Sequence, residues 1–359
     1  MHNNSESPKL SIVMPVFNHA DLVSVMVRSI ISNTFTDWEL LAVDDGSGAE
    51  TLSLLQDFAD EDPRIRFIRR NRLPKGAQTC RNTGLELARG EYIIFFDSDD
   101  FITADCLSTR VKCLSERPEL DFMVFPSSTM QKGIYSEFAT LYAYGYHIYN
   151  DDIKAFAQRT LPFVVWNNIY RTQSLRANCI RWDEQLLSLQ DAQFNIDTIL
   201  CGMKYDYAAV KPHFGYRIDA SSGSVSKKII SKEHQDSHIH AIDRFFTSIQ
   251  GKYGHKYDKA LYDGCLVIYN RVFSDSVDFG FADRMASAVA KYSSAYGRIL
   301  RFQISVNKLL AKFMPARRAR QIPMMLFLLS SDRHKFHVKP RLINKIRSNE
   351  KSINNSCNI

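Results

Sequence analysis

The chain has 359 residues, 45% of them hydrophobic and 24% charged, with a net charge of +7. Those proportions describe a globular protein long enough for two domains or for one large domain with appendages. Gly and Pro total only 26 and Cys only 7, which excludes collagen-like repetition, wholesale disorder and a disulfide scaffold. The charge is unevenly placed. From Arg301 to Ile359 there are 13 basic residues against Asp332 and Glu350, a net of +11, so the first 300 residues carry −4.

The cysteines (Cys80, Cys106, Cys113, Cys179, Cys201, Cys265, Cys357) are odd in number, scattered and never spaced C-x-x-C. They read as reduced and structural, as in a cytoplasmic protein. The first residues are polar, without a basic-then-apolar leader. No apolar run reaches the roughly 20 residues of a spanning helix, and the longest, Ile322 to Leu329, contains Pro323. A soluble or peripheral protein is expected.

In chain order, strand-like apolar runs occupy Leu10 to Met14, Glu39 to Val43, Ile65 to Arg69, Tyr92 to Phe96 and Phe122 to Phe125. Between them, Asp21 to Ser32, Ala49 to Phe58, Gly76 to Ala88 and Ala104 to Ser115 have apolar residues at helical spacing. This alternation predicts an α/β fold, a mostly parallel sheet with helices on both faces. Residues 126–225 are irregular and rich in aromatics. From Ser231 to Tyr296 the pattern turns helical, with Phe245, Phe246, Ile249, Leu261, Leu266, Ile268 and Tyr269 as core. No internal repeat is present.

Ligands of an open parallel sheet bind beyond the carboxyl ends of its strands. Three polar clusters fall there: Pro15-Val16-Phe17-Asn18, Asp44-Asp45-Gly46-Ser47 and Asp97-Ser98-Asp99-Asp100. Neither G-x-G-x-x-G nor G-x-x-x-x-G-K-[ST] occurs, so a dinucleotide fingerprint and a phosphate-cradling loop are absent. A diphosphate approaching these carboxylates needs a divalent cation between, held by one or two of them. The expected ligand is a Mg²⁺ or Mn²⁺ nucleotide complex.

The ordered set Ser11-Ile12-Val13-Met14-Pro15-Val16-Phe17-Asn18, Val43-Asp44-Asp45-Gly46-Ser47, Arg81-Asn82-Thr83-Gly84, Gly90-Glu91-Tyr92 and Asp97-Ser98-Asp99-Asp100 resembles the nucleotide-sugar-binding half of family 2 glycosyltransferases with the GT-A fold. Trp166-Asn167-Asn168-Ile169-Tyr170-Arg171 and Gln190-Asp191-Ala192-Gln193-Phe194 resemble acceptor-side motifs of the bacterial capsule, exopolysaccharide and O-antigen branch. The resemblance implies a nucleotide-sugar-binding half at 8–125 and an acceptor half with the catalytic base at 126–228, while the helical pattern and the charge give a helical extension at 229–300 and a basic amphipathic tail at 301–359.

Residue by residue, the resemblance makes Asp99 the metal ligand, with Asp97 near the ribose or metal and His213 as a further candidate ligand. It puts Asp45 on the uracil ring between Pro15 and Phe17, Arg81 toward the nucleotide or its diphosphate, and Asn18 and Ser98 in the donor site. Asp191 becomes the general base, Trp166 lines the acceptor side, and Arg217 and Ser224 belong to a segment that closes over the donor. Each has a plainer reading. Asp44 and Asn18 suit turns, Pro15 suits a strand end, Thr103 a helix N-cap and His213 a structural role. Arg81 suits a solvated helix face and Trp166 a core aromatic, while Tyr170 is read as core and Arg69, Arg70, Arg72 and Lys75 mainly as surface. Gln190 replaces the acidic residue common before the base, which removes like-charge repulsion from that side.

The expected activity is metal-dependent inverting transfer from a UDP-sugar to a saccharide or lipid-linked saccharide acceptor, giving a β-glycoside. An inactive nucleotide-sugar-binding scaffold is the alternative, and intact Asp45, Asp97, Asp99 and Asp191 weigh against it. A nucleotidyltransferase lacks its Gly-rich, Lys-bearing loop. The tail interleaves Val306, Leu309, Leu310, Phe313 and the Met324 to Leu329 cluster with Arg and Lys. It is expected to lie on the anionic inner face of the cell membrane rather than on nucleic acid, for which the acidic body has no module.

Overall fold

The computed structural model describes residues 7–131, 134–136, 144–217, 231–275 and 278–314. Its first half alternates strand and helix: β1 (Leu10–Val16), α1 (Ala20–Ile31), β2 (Trp38–Asp44), α2 (Ala49–Glu61), β3 (Ile65–Arg69), α3 (Ala77–Leu87) and β4 (Tyr92–Phe95). Every residue of β1, β2 and β4 is buried, the mark of parallel strands covered on both faces. In α1 the buried apolar residues are Val23, Met26, Val27 and Ile30, one stripe at helical spacing.

The chain continues through β5 (Phe101–Ile102), α4 (Cys106–Ser115), β6 (Phe122–Val124), β7 (Ser128–Gln131), β8 (Ile134–Ser136) and α5 (Asp152–Ala157). Next come β9 (Asn168–Arg171), α6 (Thr172–Ala177), α7 (Gln190–Leu200), β10 (Tyr205–Tyr207) and β11 (Phe214–Arg217). Seven strands form the main sheet in the order β10-β6-β9-β4-β1-β2-β3. All pairs are parallel except those of β9, which runs antiparallel to β4 and β6. The chain winds outward from β1 to β3 and then returns to β4 on the other side of β1. The order therefore reverses between β1 and β4, where such folds bind ligands. A smaller sheet, β5-β11-β7-β8, lies at this same end.

Pro15 does not end β1, which runs on to Val16. Val13 faces β4, accepting from the Phe96 amide, and two residues later Pro15 faces the same side. There the ladder has stopped at the Val13–Phe95 pair, so the amide proton that proline lacks has no carbonyl to meet.

Four further helices follow: α8 (Lys232–Tyr253), α9 (Asp258–Asp275), α10 (Phe279–Tyr292) and α11 (Ser294–Phe313). Phe245, Phe246, Ile249, Leu261, Leu266, Ile268 and Tyr269 are buried as expected. The boundary placed at 300/301 falls inside α11. No helix among the described residues is long and apolar enough to cross a membrane. The described cysteines are free thiols. Residues 315–359, with the Met324 to Leu329 cluster, and Ser224 lie outside the described residues.

Candidate functional site

All three polar clusters meet at the carboxyl edge. Asp44 closes a turn by accepting the Gly46 and Ser47 amides at 2.9 and 3.0 Å. Asn18 is committed to the same corner: its amide donates to Ser47 Oγ at 2.8 Å and its Oδ1 accepts the Gly48 amide at 2.9 Å. It ties the end of β1 to the end of β2, the turn role that its place in the sequence suits. Phe17, 44% exposed, projects its ring outward with the Lys75 ammonium 3.8 Å from the ring centroid.

Asp45 is buried and uses one oxygen for all its partners. Oδ1 accepts from Arg70 Nε at 2.7 Å and the Gly76 amide at 3.0 Å, with the Cys80 thiol at 3.8 Å. Oδ2 has no hydrogen-bond partner among the described residues. Arg70 is therefore a partner of Asp45 rather than a surface charge, and Arg72 ion-pairs with Glu86 and Glu184.

Arg81 is not on a solvated face. It is buried, and its guanidinium joins the two halves of the site. Nη2 donates to Asp97 Oδ1 at 2.5 Å, while Nη1 donates to Gln190 Oε1 at 3.1 Å and lies 3.5 Å from Asp191 Oδ1. The flat of the cation stacks on Trp182 at 4.5 Å. Asn82 next to it holds that indole in place, exchanging 2.9 Å bonds with the Trp182 carbonyl and amide. Asn82 Nδ2 also donates to Glu184 at 2.8 Å, and Gln78 reaches the Glu184 carbonyl. The loop before α7 is thus zipped onto α3. Trp182 and Glu184 were not singled out from sequence; their partners lie about 100 residues away, and no local pattern announces them.

Asp191 opens α7, whose N-cap Leu189 takes a left-handed conformation with φ 63°. Its side chain is recessed but 30% exposed. Burial pushes its pKa up to about 6, the Arg81 charge opposes this and Asp97 adds to it. The like charge that the neutral Gln190 withholds is supplied across the cleft by Asp97. Asp99 is likewise raised, chiefly by burial and then by Asp97. Asp100, wholly buried, is raised well above the usual range by burial and by Asp99 and Asp97, and its Oδ2 has no partner among the described residues. Ser98 is half-buried between these acids.

Arg217 fastens β11 to this loop, donating through its amide to Asp100 Oδ1 at 2.8 Å and through Nε to the Asp99 carbonyl at 2.7 Å. Trp166 is 3% exposed, stacked on Phe214 and Tyr216 with centroids 4.6 and 5.5 Å away. The expectation of a sugar platform is corrected: Trp166 is a core brace behind β11, because that strand covers its ring. Tyr170 is core, its hydroxyl bonded to Asn195 at 2.9 Å. Thr103 is not the N-cap of α4; Asp105 is, and Thr103 Oγ1 donates to Asp105 Oδ1 at 2.6 Å.

A lone carboxylate that finishes its shell with substrate phosphate oxygens suits Mg²⁺ or Mn²⁺. Asp99 fits that role, since its charge is crowded by Asp97 and Asp100 and a cation would relieve the crowding. Asp97 is already engaged by Arg81. His213 Nε2 lies 3.7 Å from Asp105, and burial lowers the imidazole to a pKa of about 4, keeping it neutral. No group of three acidic, His or Cys side chains among the described residues is arranged to hold a metal unaided.

The carboxylate-lined edge at the reversal point of the parallel sheet is thus faced by a recessed acid from the second half. Residues 11–176 match the model of glycosyl transferase family 2. That match spans just under half of the chain, whose fold is GT-A. The chain is 34% identical over 109 residues to the GalNAc(5)-diNAcBac-PP-undecaprenol beta-1,3-glucosyltransferase of Campylobacter jejuni, covering 30% of this chain and 35% of that protein. It is 36% identical over 105 residues to the Escherichia coli UDP-Glc:alpha-D-GlcNAc-diphosphoundecaprenol beta-1,3-glucosyltransferase WfgD, covering 29% of this chain and 40% of that one. The crystal structure of S. aureus TarS 1-349 in complex with UDP-GlcNAc superposes with a TM-score of 0.62 at 17% identity, covering 91% of each chain, a likeness of fold. The chain spans between 35% and 63% of the length of the C. jejuni enzyme and two Bacillus subtilis relatives.

Proposed function

We propose that the chain is an inverting glycosyltransferase that moves a sugar from a UDP-sugar to a hydroxyl of a lipid-linked saccharide in cell-surface polysaccharide synthesis. The observation that carries this is the Arg81 bridge, which sets the recessed, pKa-raised Asp191 opposite the Asp97 to Asp99 edge. In this reading Asp45 Oδ2 accepts the uracil N–H, since Oδ1 is taken, and Phe17 and Pro15 flank the base. The named acceptors of the C. jejuni and E. coli relatives and the UDP-GlcNAc bound by TarS support it.

Asp191 takes the proton of the acceptor hydroxyl as that oxygen bonds to the anomeric carbon, and the bond to the diphosphate breaks on the opposite face. An α-linked donor then gives a β-glycoside. A pKa of about 6 leaves Asp191 ionised near neutrality yet more basic than an ordinary aspartate. Arg81, whose Nε has no partner among the described residues, meets charge on the leaving group in this reading. A divalent cation held by Asp99 would, when bound, neutralise the diphosphate as it departs. The protein acts at the inner face of the cell membrane, where its basic C-terminal region meets anionic lipid.

The test is a panel of UDP-sugars with Mn²⁺, read first as thermal stabilisation and then as transfer to extracted lipid-linked saccharides. One UDP-sugar is expected to raise the melting temperature by several degrees and to be consumed only when acceptor is present. Binding without transfer or hydrolysis would leave an inactive scaffold, and absence of binding by any UDP-sugar would remove the donor assignment.

A further inference from the structure

Helix α11 has two apolar faces, and only one is used. Gly297, Leu300, Ile304 and Asn307 are buried. They pack toward α9 and α10: a Cβ on Gly297 would lie 2.4 Å from that of Ala290, Tyr262 stacks on Tyr296 at 4.8 Å, and Asn307 bonds the Tyr269 hydroxyl. On the opposite side of the helix, Ile299, Phe302, Leu309 and Phe313 project outward; Phe302 is 70% and Phe313 79% exposed. These positions repeat at intervals of three, seven and four residues, so they form one continuous stripe. Nothing among the described residues covers it.

Charge identifies the occupant. Arg298, Arg301 and Lys312 are exposed along one border of the stripe, and α11 contains no acidic residue. The 45 residues that follow hold ten more basic side chains against Asp332 and Glu350. A second copy of this chain would set these cations against each other, whereas an anionic bilayer accepts apolar side chains and cations side by side. We infer that the outer face of α11 is the membrane-contact surface, lying in the headgroup layer with Phe302 and Phe313 inserted and Arg298, Arg301 and Lys312 on lipid phosphates. This rests on the membrane placement proposed above and moves its anchor from the tail to a folded helix, bound through the buried face to the rest of the protein.

The test is co-sedimentation of the full-length protein with vesicles of one part phosphatidylglycerol to three parts phosphatidylcholine, and with pure phosphatidylcholine. Three proteins are compared: wild type, Phe302→Asp/Phe313→Asp, and a tail variant with Arg317, Arg318 and Arg320 changed to Ser. Circular dichroism melting controls for folding, which exposed positions leave intact. The expected result is binding of wild type to anionic vesicles alone, a loss of at least about tenfold in the Phe302/Phe313 variant, and a smaller loss in the tail variant. Equal binding by the Phe302/Phe313 variant, with loss confined to the tail variant, would overturn the helix assignment while sparing the membrane placement. No binding by wild type would remove both, and a wild-type dimer made monomeric by the Phe302/Phe313 change without effect on vesicles would give the stripe to a second copy. None of these readouts depends on sugar transfer, so the catalytic reading stands or falls separately.

Discussion

Arg81 Nη1 lies 3.5 Å from Asp191 Oδ1, across the seam between a helix of the first half and the first turn of a helix of the second. The same guanidinium holds Asp97, so the proposed base and the donor-side acid share one cation. Removing the base separates its two possible roles. Asp191→Asn keeps the shape and a hydrogen-bond acceptor for Arg81 but cannot take a proton. Turnover is expected to fall by roughly 10²–10⁴-fold, with stabilisation by UDP-sugar retained. A loss of only a fewfold would place the base elsewhere.

The raised pKa predicts a pH dependence with a definite sign. A base works when deprotonated, so kcat/KM should rise through an apparent pKa of about 6 and level off above it. The stability effect runs the other way. Because the folded value exceeds the ordinary 3.8, this carboxyl favours the fold at low pH and loses that contribution as pH rises from about 4 toward 6. Asp191→Asn should therefore be more stable than wild type at pH 8, by on the order of 1 kcal/mol after allowing for a part-exposed group. Melting temperatures of both proteins from pH 4 to 8 would show the gap opening, and parallel curves would refute it.

Gln190 occupies the place where an acidic neighbour was expected, and its carbonyl oxygen accepts from Arg81 at 3.1 Å. Gln190→Glu keeps the acceptor and adds a negative charge beside Asp191. The rising limb of kcat/KM should move up by roughly half to one unit with little change in the plateau. A shift downward would mean that the added carboxylate draws Arg81 closer to Asp191 instead of adding repulsion.

How far the sequence reaches depends on the range of the contacts involved. The β-α alternation from Leu10 to Val124 was legible because parallel strands buried on both faces are unbroken apolar runs and their helices carry stripes. The carboxylates followed from their places just after those runs. The second sheet was not legible, since β5 has two residues and β8 three, too short for any period to show. Trp166 illustrates a different limit. Its motif suggested the acceptor side, but its burial is decided by Phe214 and Tyr216, nearly fifty residues on. For Arg81 the helix pattern alone read as a solvated face and only the resemblance drew it toward the donor, because its burial is decided by Trp182 and Asp191 about 100 residues on.

The zipper between α3 and the loop before α7 makes a prediction about stability that also bears on the site. Asn82 is buried, and its side chain satisfies both the amide and the carbonyl of Trp182. Asn82→Ala strands those two backbone groups, at roughly 1–3 kcal/mol for each group left unsatisfied. Release of Trp182 also removes the platform under Arg81. Urea unfolding should show the lost stability, and the same variant should weaken UDP-sugar binding although Asn82 is not placed on the donor. Full stability with full donor binding would mean that the loop is held elsewhere.

Gly84 closes the Arg81 to Gly84 motif for a steric reason that can be tested on its own. It faces β1, and a Cβ built there would stand 2.2 Å from Val13 Cγ1 and 2.8 Å from Val13 Cγ2. Both atoms belong to a short branched side chain in the centre of the main sheet, with no flexible end to move aside. Gly84→Ala gains helix propensity of about 1 kcal/mol but must lift α3 off β1, at a cost of about 1–3 kcal/mol that outweighs it. The helix that moves carries Arg81, so donor affinity should fall along with the melting temperature. Val13→Ala in the same chain removes the two clashing methyls, and the double variant should recover donor binding relative to Gly84→Ala alone. Failure of that rescue would show that glycine is needed there for its backbone rather than for its missing side chain.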